Sequence, residues 1–162
     1  MRRGLSLLVV LSVTAVLTTY IYRNINRNWV DYHNAGNFLA KKNYDAAAPI
    51  YETLLQEDFH IQTLGSKLAE CYLASGKPEK ADTTFINRIY QSRHVTPQAL
   101  MSLSDTFVKY SRFQEASESL NKALKISPNN RPARIYHART LCWAGKYDES
   151  IKEYKTVLGE KK

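Results

Sequence analysis

The stretch "AGKYDESIKEY", Ala144 to Tyr154, decides the reading of the whole chain because its grammar recurs. A small residue, a glycine and a lysine lead into an aromatic ring. Acidic residues follow, then apolar residues at helical spacing. "KKNYDAAAPIY" (Lys41 to Tyr51), "SGKPEKADTTF" (Ser75 to Phe85) and "YSRFQEASESL" (Tyr110 to Leu120) align with it without gaps. Tyr44, Pro78, Phe113 and Tyr147 then share one column, at intervals of 34, 35 and 34 residues. Ala47, Ala81, Ala116 and Ser150 form a small-residue column, and Tyr51, Phe85, Leu120 and Tyr154 a bulky one. Upstream, Ala35, Ala69, Ser104 and Ala138 are small, and Phe38, Tyr72, Phe107 and Leu141 are bulky. A fixed period of this length is the signature of stacked structural repeats.

Each unit reads as a helix pair. The upstream helices are expected over 29–42, 62–75, 97–110 and 131–144, and the downstream helices over 45–57, 78–91, 113–126 and 147–159. Breakers separate them: Asn43-Tyr44, Gly76-Lys77-Pro78, Ser127-Pro128-Asn129-Asn130 and Gly145-Lys146. Pro78, Pro97 and Pro132 fall in first helical turns, where a missing N–H costs little. Pro49 falls inside a helix and should bend it or delay its start. The one extra residue belongs in the loop from Ser92 to Thr96. Two helices that cross closely need a small side chain at the crossing, with bulky neighbours filling the flanks. One pair cannot bury its faces alone, so the pairs must stack.

This pattern resembles the tetratricopeptide repeat family. "LAECYLASGKPEKADTTF", Leu68 to Phe85, matches the family signature closely, and "ALKISPNN", Ala123 to Asn130, is a typical end of repeat. The first repeat departs most, with Asp31 and Asn34 where large apolar residues are usual. The resemblance implies an all-α, right-handed superhelix of four repeats (28–61, 62–96, 97–130 and 131–162, together a domain over 24–162) with a concave, protein-binding groove. Carried over residue by residue, the groove is lined by Trp29, Tyr32, Gly36 and Leu39; by Thr63, Ser66, Glu70 and Leu73; by Gln98, Met101, Asp105, Val108 and Lys109; and by Ile135, Arg139, Cys142 and Trp143. A carboxylate clamp of the co-chaperone type is not expected, since Tyr32, Gly36, Lys67, Gln98 and Ser102 occupy its places. The phrase from Ala138 to Leu158 also looks like repeats of bacterial exopolysaccharide-secretion scaffolds.

The opening "MRRGLSLLVVLSVTAVLTTYIYR", residues 1–23, carries two early arginines and an uncharged run from Gly4 to Tyr22. Nineteen helical residues span about 28 Å, near the ~30 Å hydrocarbon core. An uncleaved transmembrane signal-anchor is the leading reading, with Tyr20 and Tyr22 at the interface and Arg23 reaching back to it. A signal peptide cut after the small pair Val13 and Ala15 is the rival, and a buried helix the third reading. The early arginines favour a single-pass inner-membrane protein with the repeats in the periplasm.

The chain carries 23 Lys plus Arg against 15 Asp plus Glu. The excess is uneven, residues 28–61 summing to −3 and residues 131–162 to +4. It lacks the denser stripe usual in a nucleic-acid binder, so binding through the basic fourth repeat is the lesser reading and no nucleic-acid partner is expected. His33, His60, His94 and His137 are scattered, and Cys71 and Cys142 stand in different repeats. Neither metal-ligand spacing nor a nucleophile motif is present, so no enzyme activity, metal or cofactor is expected. The function that follows is a membrane-anchored adaptor, recruiting protein partners to an envelope complex through its groove. A soluble periplasmic chaperone or binding module, released by signal cleavage, is the alternative. A second interface is expected at the chain end, where Ile151, Tyr154, Val157 and Leu158 lie at helical spacing with no further repeat to cover them. That face would dock another protein or a second copy of the chain, shielded in part by Lys152, Lys155, Lys161 and Lys162.

Overall fold

In the computed structural model, described over residues 2–59 and 62–159, the chain is all helical. The side chains of residues 2–10, 23–25 and Thr84 lie outside the description, as do Lys161 and Lys162, and with them the membrane roles expected of Arg2, Arg3 and Arg23. Helix α1 covers Arg2–Ile25, α2 Arg27–Ala40, α3 Tyr44–Gln56 and α4 Leu64–Ala74. A 3₁₀ turn, Pro78–Ala81, precedes α5, Thr83–Gln91. Then follow α6 Pro97–Lys109, α7 Phe113–Ile126, α8 Arg131–Trp143 and α9 Tyr147–Leu158. The upstream helices α2, α4, α6 and α8 alternate with the downstream set α3, α5, α7 and α9. Within repeats α2 packs on α3, α4 on the 3₁₀ turn, α6 on α7 and α8 on α9; between repeats α3 packs on α4, α4 on α6, α5 on α7 and α7 on α8.

The small columns sit where the helices of a pair cross. Ala35, Ala47, Ala69, Ala81, Ser104, Ala116 and Ala138 are fully buried, and Ser150 almost so. In the fourth repeat the two columns touch, the Ser150 hydroxyl donating to the Ala138 carbonyl at 2.7 Å. Tyr72, Phe107 and Leu141 of the bulky column are buried in turn. Phe38, which has no preceding repeat, stays 37% exposed.

The turns within repeats share one geometry. Lys42, Gly76, Ser111 and Gly145 all have positive φ, between 57° and 76°. The residue after each donates its N–H back five positions to the bulky column: Asn43 to Phe38, Lys77 to Tyr72, Arg112 to Phe107 and Lys146 to Leu141, at 2.8 to 2.9 Å. This is the Schellman closure, and it satisfies carbonyls that the helix end would otherwise orphan. Helix starts are capped by side chains where the sequence provides them: Asn43, Asp82, Thr96 and Asn130 each accept from a backbone N–H three residues on.

Three expectations change. The first is the transmembrane helix, and with it the single-pass inner-membrane location. Among the described residues no helix is long and apolar enough to cross a membrane. Along residues 11–22, α1 carries Ser12 among its apolar residues. It also carries Thr14, Thr18 and Thr19, whose hydroxyls bond back to carbonyls of Leu11, Thr14 and Ala15. The second is the helix expected over 78–91, which breaks at Asp82. That residue is extended (ψ −171°) and caps Phe85 instead of continuing the turn begun at Pro78. The third is narrowed: of the bend or delay expected from Pro49, the delay is absent, since α3 starts at Tyr44, capped by Asn43. The extra residue expected between Ser92 and Thr96 falls between α5 and α6, as the period requires.

The fourth repeat is held to the third partly by polar groups. His137 is buried, and its Nε2 lies 3.1 Å from the Ser117 hydroxyl of α7. Its Nδ1 has no hydrogen-bond partner and lies 3.7 Å from a Glu153 oxygen of α9. Arg134 bonds the other Glu153 oxygen at 2.8 Å. Burial pushes the His137 pKa below the ordinary imidazole range, with Arg134 and Lys146 acting the same way, against the smaller upward pull of Glu153 and Glu149. The equivalent residues Leu68 and Leu103 are buried leucines.

Two predictions follow from these observations. In the turn column, Lys42 and Ser111 hold a backbone region that costs a side-chain-bearing residue about 1–2 kcal/mol, while glycine costs about 0.5–1 kcal/mol through unfolded-state entropy. Ser111→Gly should therefore stabilise the domain by about 0.5–1 kcal/mol. Gly145→Ala should destabilise it by about 1 kcal/mol, since its new Cβ meets nothing within 4 Å and only the backbone objects. Denaturant melts of both variants decide this, and equal midpoints would refute it. The second concerns pH. A histidine whose folded pKa is depressed contributes stability that is full above the unfolded value of about 6.5 and is lost as pH falls through the folded one. Stability measured from pH 7 down to pH 5 should fall more steeply in the wild type than in His137→Leu. Parallel curves would remove His137 from the account.

Candidate functional site: the upstream-helix face

A helix repeats its outward face every three to four residues, so two columns of each upstream helix emerge on the same surface. One is Gly36, Glu70, Asp105 and Arg139, and the other Ala40, Ala74, Lys109 and Trp143. Both are small in the first repeat, and glycine or alanine gives way to long side chains towards the fourth. The face is therefore low at one end and walled by Lys109, Arg139 and Trp143 at the other.

The predicted groove residues divide into two sets. Leu39, Leu73, Met101 and Val108 are partly buried against the core, and form the floor rather than the contact surface. Trp29, Gln98, Asp105, Lys109, Arg139, Cys142 and Trp143 are exposed, with Tyr32, Gly36, Ser66, Glu70 and Ile135 half-buried and Thr63 at the helix start also exposed. Several of these polar groups already serve one another between successive repeats. The Tyr32 hydroxyl and Thr63 Oγ1 are 2.7 Å apart, and Lys109 Nζ donates to Glu70 at 2.6 Å. Tyr136, on α8, is pushed above the usual phenol range by burial, with the Asp105 carboxylate of α6 beside it. Lys67 stands over the Tyr32 ring, 5.3 Å from its centroid.

Of the charges expected to orient a ligand, Glu70 is thus paired with Lys109 and Asp105 serves Tyr136. Arg139 remains exposed at the walled end, one turn before Trp143. The Trp143 ring lies against Phe113, 5.9 Å between centroids, which fixes its orientation while leaving it half-exposed. Trp29 is likewise seated at the other end, edge-on to Phe59 at 5.6 Å and to Tyr32 at 6.3 Å. Phe59 is brought there by a positive-φ turn at Asp58, whose neighbouring N–H closes back to Leu54. The repeat signature gave no sign of this aromatic cluster, because Phe59 lies in the loop between α3 and α4, outside the recurring columns.

Other chemistry-bearing groups are engaged structurally. Burial, with Glu70 nearby, pushes the Cys71 thiol up to about 12, so it stays protonated at neutral pH. Asp58, Ser92 and His94 have the composition of a hydrolase triad but not its order. Ser92 Oγ donates to Asp58 at 3.2 Å, and His94 Nε2 lies 3.9 Å from the other oxygen of the same carboxylate. A triad needs the imidazole between hydroxyl and carboxylate, whereas here the carboxylate stands between the other two. The cluster ties the end of α3 to the α5–α6 loop beside a cavity of about 30 Å³. Among the described residues, no group of three or more His, Cys, Asp or Glu is placed to hold a metal ion.

Comparison with known proteins agrees with the repeat geometry. A family model described as tetratricopeptide repeat matches residues 38–92 and 107–162, more than half of the chain. Among solved structures, "Crystal structure of MamA protein" shares 17% identity over 83% of this chain and 73% of that one, with a TM-score of 0.52. A second, "Crystal structure of MamA", shares 19% identity over 78% and 74%, with a TM-score of 0.48. The first of these shows the same fold. No curated protein sequence matches. The paired small columns, the repeated Schellman turns and the family match together place this chain in the tetratricopeptide repeat family.

Proposed function

We propose that the protein is a binding module and scaffold that holds a segment of a partner protein across its upstream-helix face, anchored at the end formed by Arg139 and Trp143. The observation that carries this is the pairing of an exposed arginine with a pre-oriented, half-exposed tryptophan one turn apart on α8. Arg and Trp dominate binding hot spots, and a ring already held by Phe113 loses little entropy on contact. The low end of the face, at Gly36, Ala40 and Ala74, leaves room for a chain to lie along it. Trp29 and Phe59 supply apolar contact at the far end.

With no described helix fit to span a bilayer, the reading as a binding module is favoured over that of a membrane-anchored adaptor. The likeness to exopolysaccharide-secretion scaffolds rests on the phrase Ala138 to Leu158. That phrase builds α8 and α9 as ordinary repeat helices, so it supports the repeat and no particular pathway.

The test is crosslinking capture of partners from native extract, followed by binding of the purified partner to variants. Arg139→Ala and Trp143→Ala should each weaken binding by about 2 kcal/mol, roughly thirtyfold, with helicity unchanged. Asn121→Ala, exposed on α7, is the control. Wild-type affinity in both α8 variants would move the site to another surface.

A further inference from the structure

The two ends of the solenoid are unlike. At the N-terminal end, α2 turns outward Asp31, already paired with Arg27 at 3.6 Å, and Asn34, which is exposed. The residues in the Asn34 column, Leu68, Leu103 and His137, are all buried. Polar groups at those positions make the face a cap, as a stacked-repeat domain requires. This accounts for the departure of the first repeat from the family pattern.

The C-terminal end is the reverse. Tyr154 continues the column of Tyr51, Phe85 and Leu120, and Leu158 that of Ile89 and Leu124, all of them buried. In α9 the two are 38% and 68% exposed, with Ile151 at 53% and Tyr147 at 63%. Val157 is only half-buried beside them. Tyr147, Ile151, Tyr154 and Leu158 follow one another at intervals of four, three and four residues. That is the spacing of a coiled-coil seam, and the columns of Tyr154 and Leu158 carry the buried face between repeats in the earlier units.

We infer that α9 pairs two copies of this protein, antiparallel, through the seam Tyr147–Ile151–Tyr154–Leu158. Three observations select this occupant. The capped N-terminal face disfavours head-to-tail stacking, which would bury the Arg27–Asp31 pair and the exposed Asn34 against Tyr154 and Leu158. A closed twofold contact remains. The seam is self-complementary when reversed: Ile151 of one copy meets Tyr154 of the other, and Tyr147 meets Leu158, an aliphatic side chain against a ring in every layer. The flanking charges agree as well. Asp148 and Lys155 are exposed and occupy equivalent positions beside the seam. Antiparallel pairing sets Asp148 of each copy near Lys155 of the other, twice over. Parallel pairing would bring neither residue to an opposite charge. A twelve-residue helix is about 18 Å long. The contact therefore falls below the roughly 800 Å² per partner of standard interfaces, and the dimer dissociates on dilution.

The experiment is sedimentation equilibrium of the full chain across concentration, at about 0.1 M salt, with helicity followed by circular dichroism. Wild type should show a monomer–dimer equilibrium. Asp148→Lys places lysine against lysine at both flanks, and Lys155→Asp places aspartate against aspartate. Each alone should raise the dissociation constant about tenfold. An equimolar mixture of the two should restore wild-type affinity, because only the mixed pair has opposite charges at both flanks. Leu158→Glu should abolish the dimer with helicity retained. A monomeric wild type would overturn the proposal. So would association that ignores both charge reversals, which would point to α1, uncharged from residue 4 to 22. Weakening without rescue in the mixture would overturn the antiparallel arrangement. None of these variants touches the α8 face, so failure here leaves the groove reading standing.

Discussion

Everything in this fold depends on how closely the two helices of a repeat approach. Where they cross there is room for an alanine or a serine and no more, and all eight residues at the crossings are buried or nearly so. The crossing fixes the rest. Bulky residues one turn away must fill the wedge between the diverging helices, so Tyr51, Phe85 and Leu120 are buried beside it. A large side chain at Ala69 or Ala116 would force the helices apart and carry the next repeat with them, at a cost on the order of 1–3 kcal/mol. The turn that joins the helices is equally constrained. Its positive-φ residue and its bond back to the bulky column recur in all four repeats, although two of them carry lysine or serine where glycine would fit without strain. Packing, then, overrides the local preference at Lys42 and Ser111.

That hierarchy explains what was legible in the sequence. The period, the two small columns and the bulky ones are packing constraints that recur in register, and one unit read beside the next displays them. Apart from the start of α5, the helix boundaries follow to within one or two residues for the same reason. Interactions that occur once have no register to betray them. The break at Asp82 is of that kind. Pro78 and Asp82 are competing helix starts, and the second wins because its carboxylate caps Phe85 while Thr83 and Thr84 are β-branched. His137 is another: in sequence it is an isolated histidine, and only its column, leucine in the two interior repeats, marks it as buried. Asp31 and Asn34 looked like lapses of the pattern because the pattern describes interior repeats, whereas these residues end the stack.

The binding face was legible in position but not in electrostatics. Carrying the family's columns onto α2, α4, α6 and α8 located the surface. Which charges on it remain available was decided by contacts between repeats, where Glu70 meets Lys109 and Asp105 approaches Tyr136. These contacts link residues more than thirty positions apart in the chain, and single-column reading treats each helix alone. Pairing of this sort has a physical consequence for recognition. A carboxylate already bonded to a lysine offers little net charge to a ligand, so it shapes the face more than it attracts. The unspent attraction is gathered at the fourth repeat, where Arg139 and Trp143 are exposed.

Stacking also separates the tasks of one helix. The side of α8 that faces α7 carries Ala133, His137 and Leu141 and is buried, while the turn between Arg139 and Trp143 faces out. The inner side of α9 presents Ser150 to Ala138, and its outer side presents Ile151, Tyr154 and Leu158. Repeat four therefore carries two outward surfaces on different helices, joined through the crossing at Ala138 and Ser150 and the Arg134–Glu153 bond. A ligand on α8 and a partner copy on α9 need not compete for the same atoms. They are coupled only as far as that crossing, and the His137 cluster beside it, can shift. A rigid crossing keeps the two events independent. Protonation of His137 would load the one buried polar cluster that lies between them. Low pH is thus the condition under which binding on α8 and pairing through α9 would cease to be independent, because the contact each relies on for its position is the one that loosens.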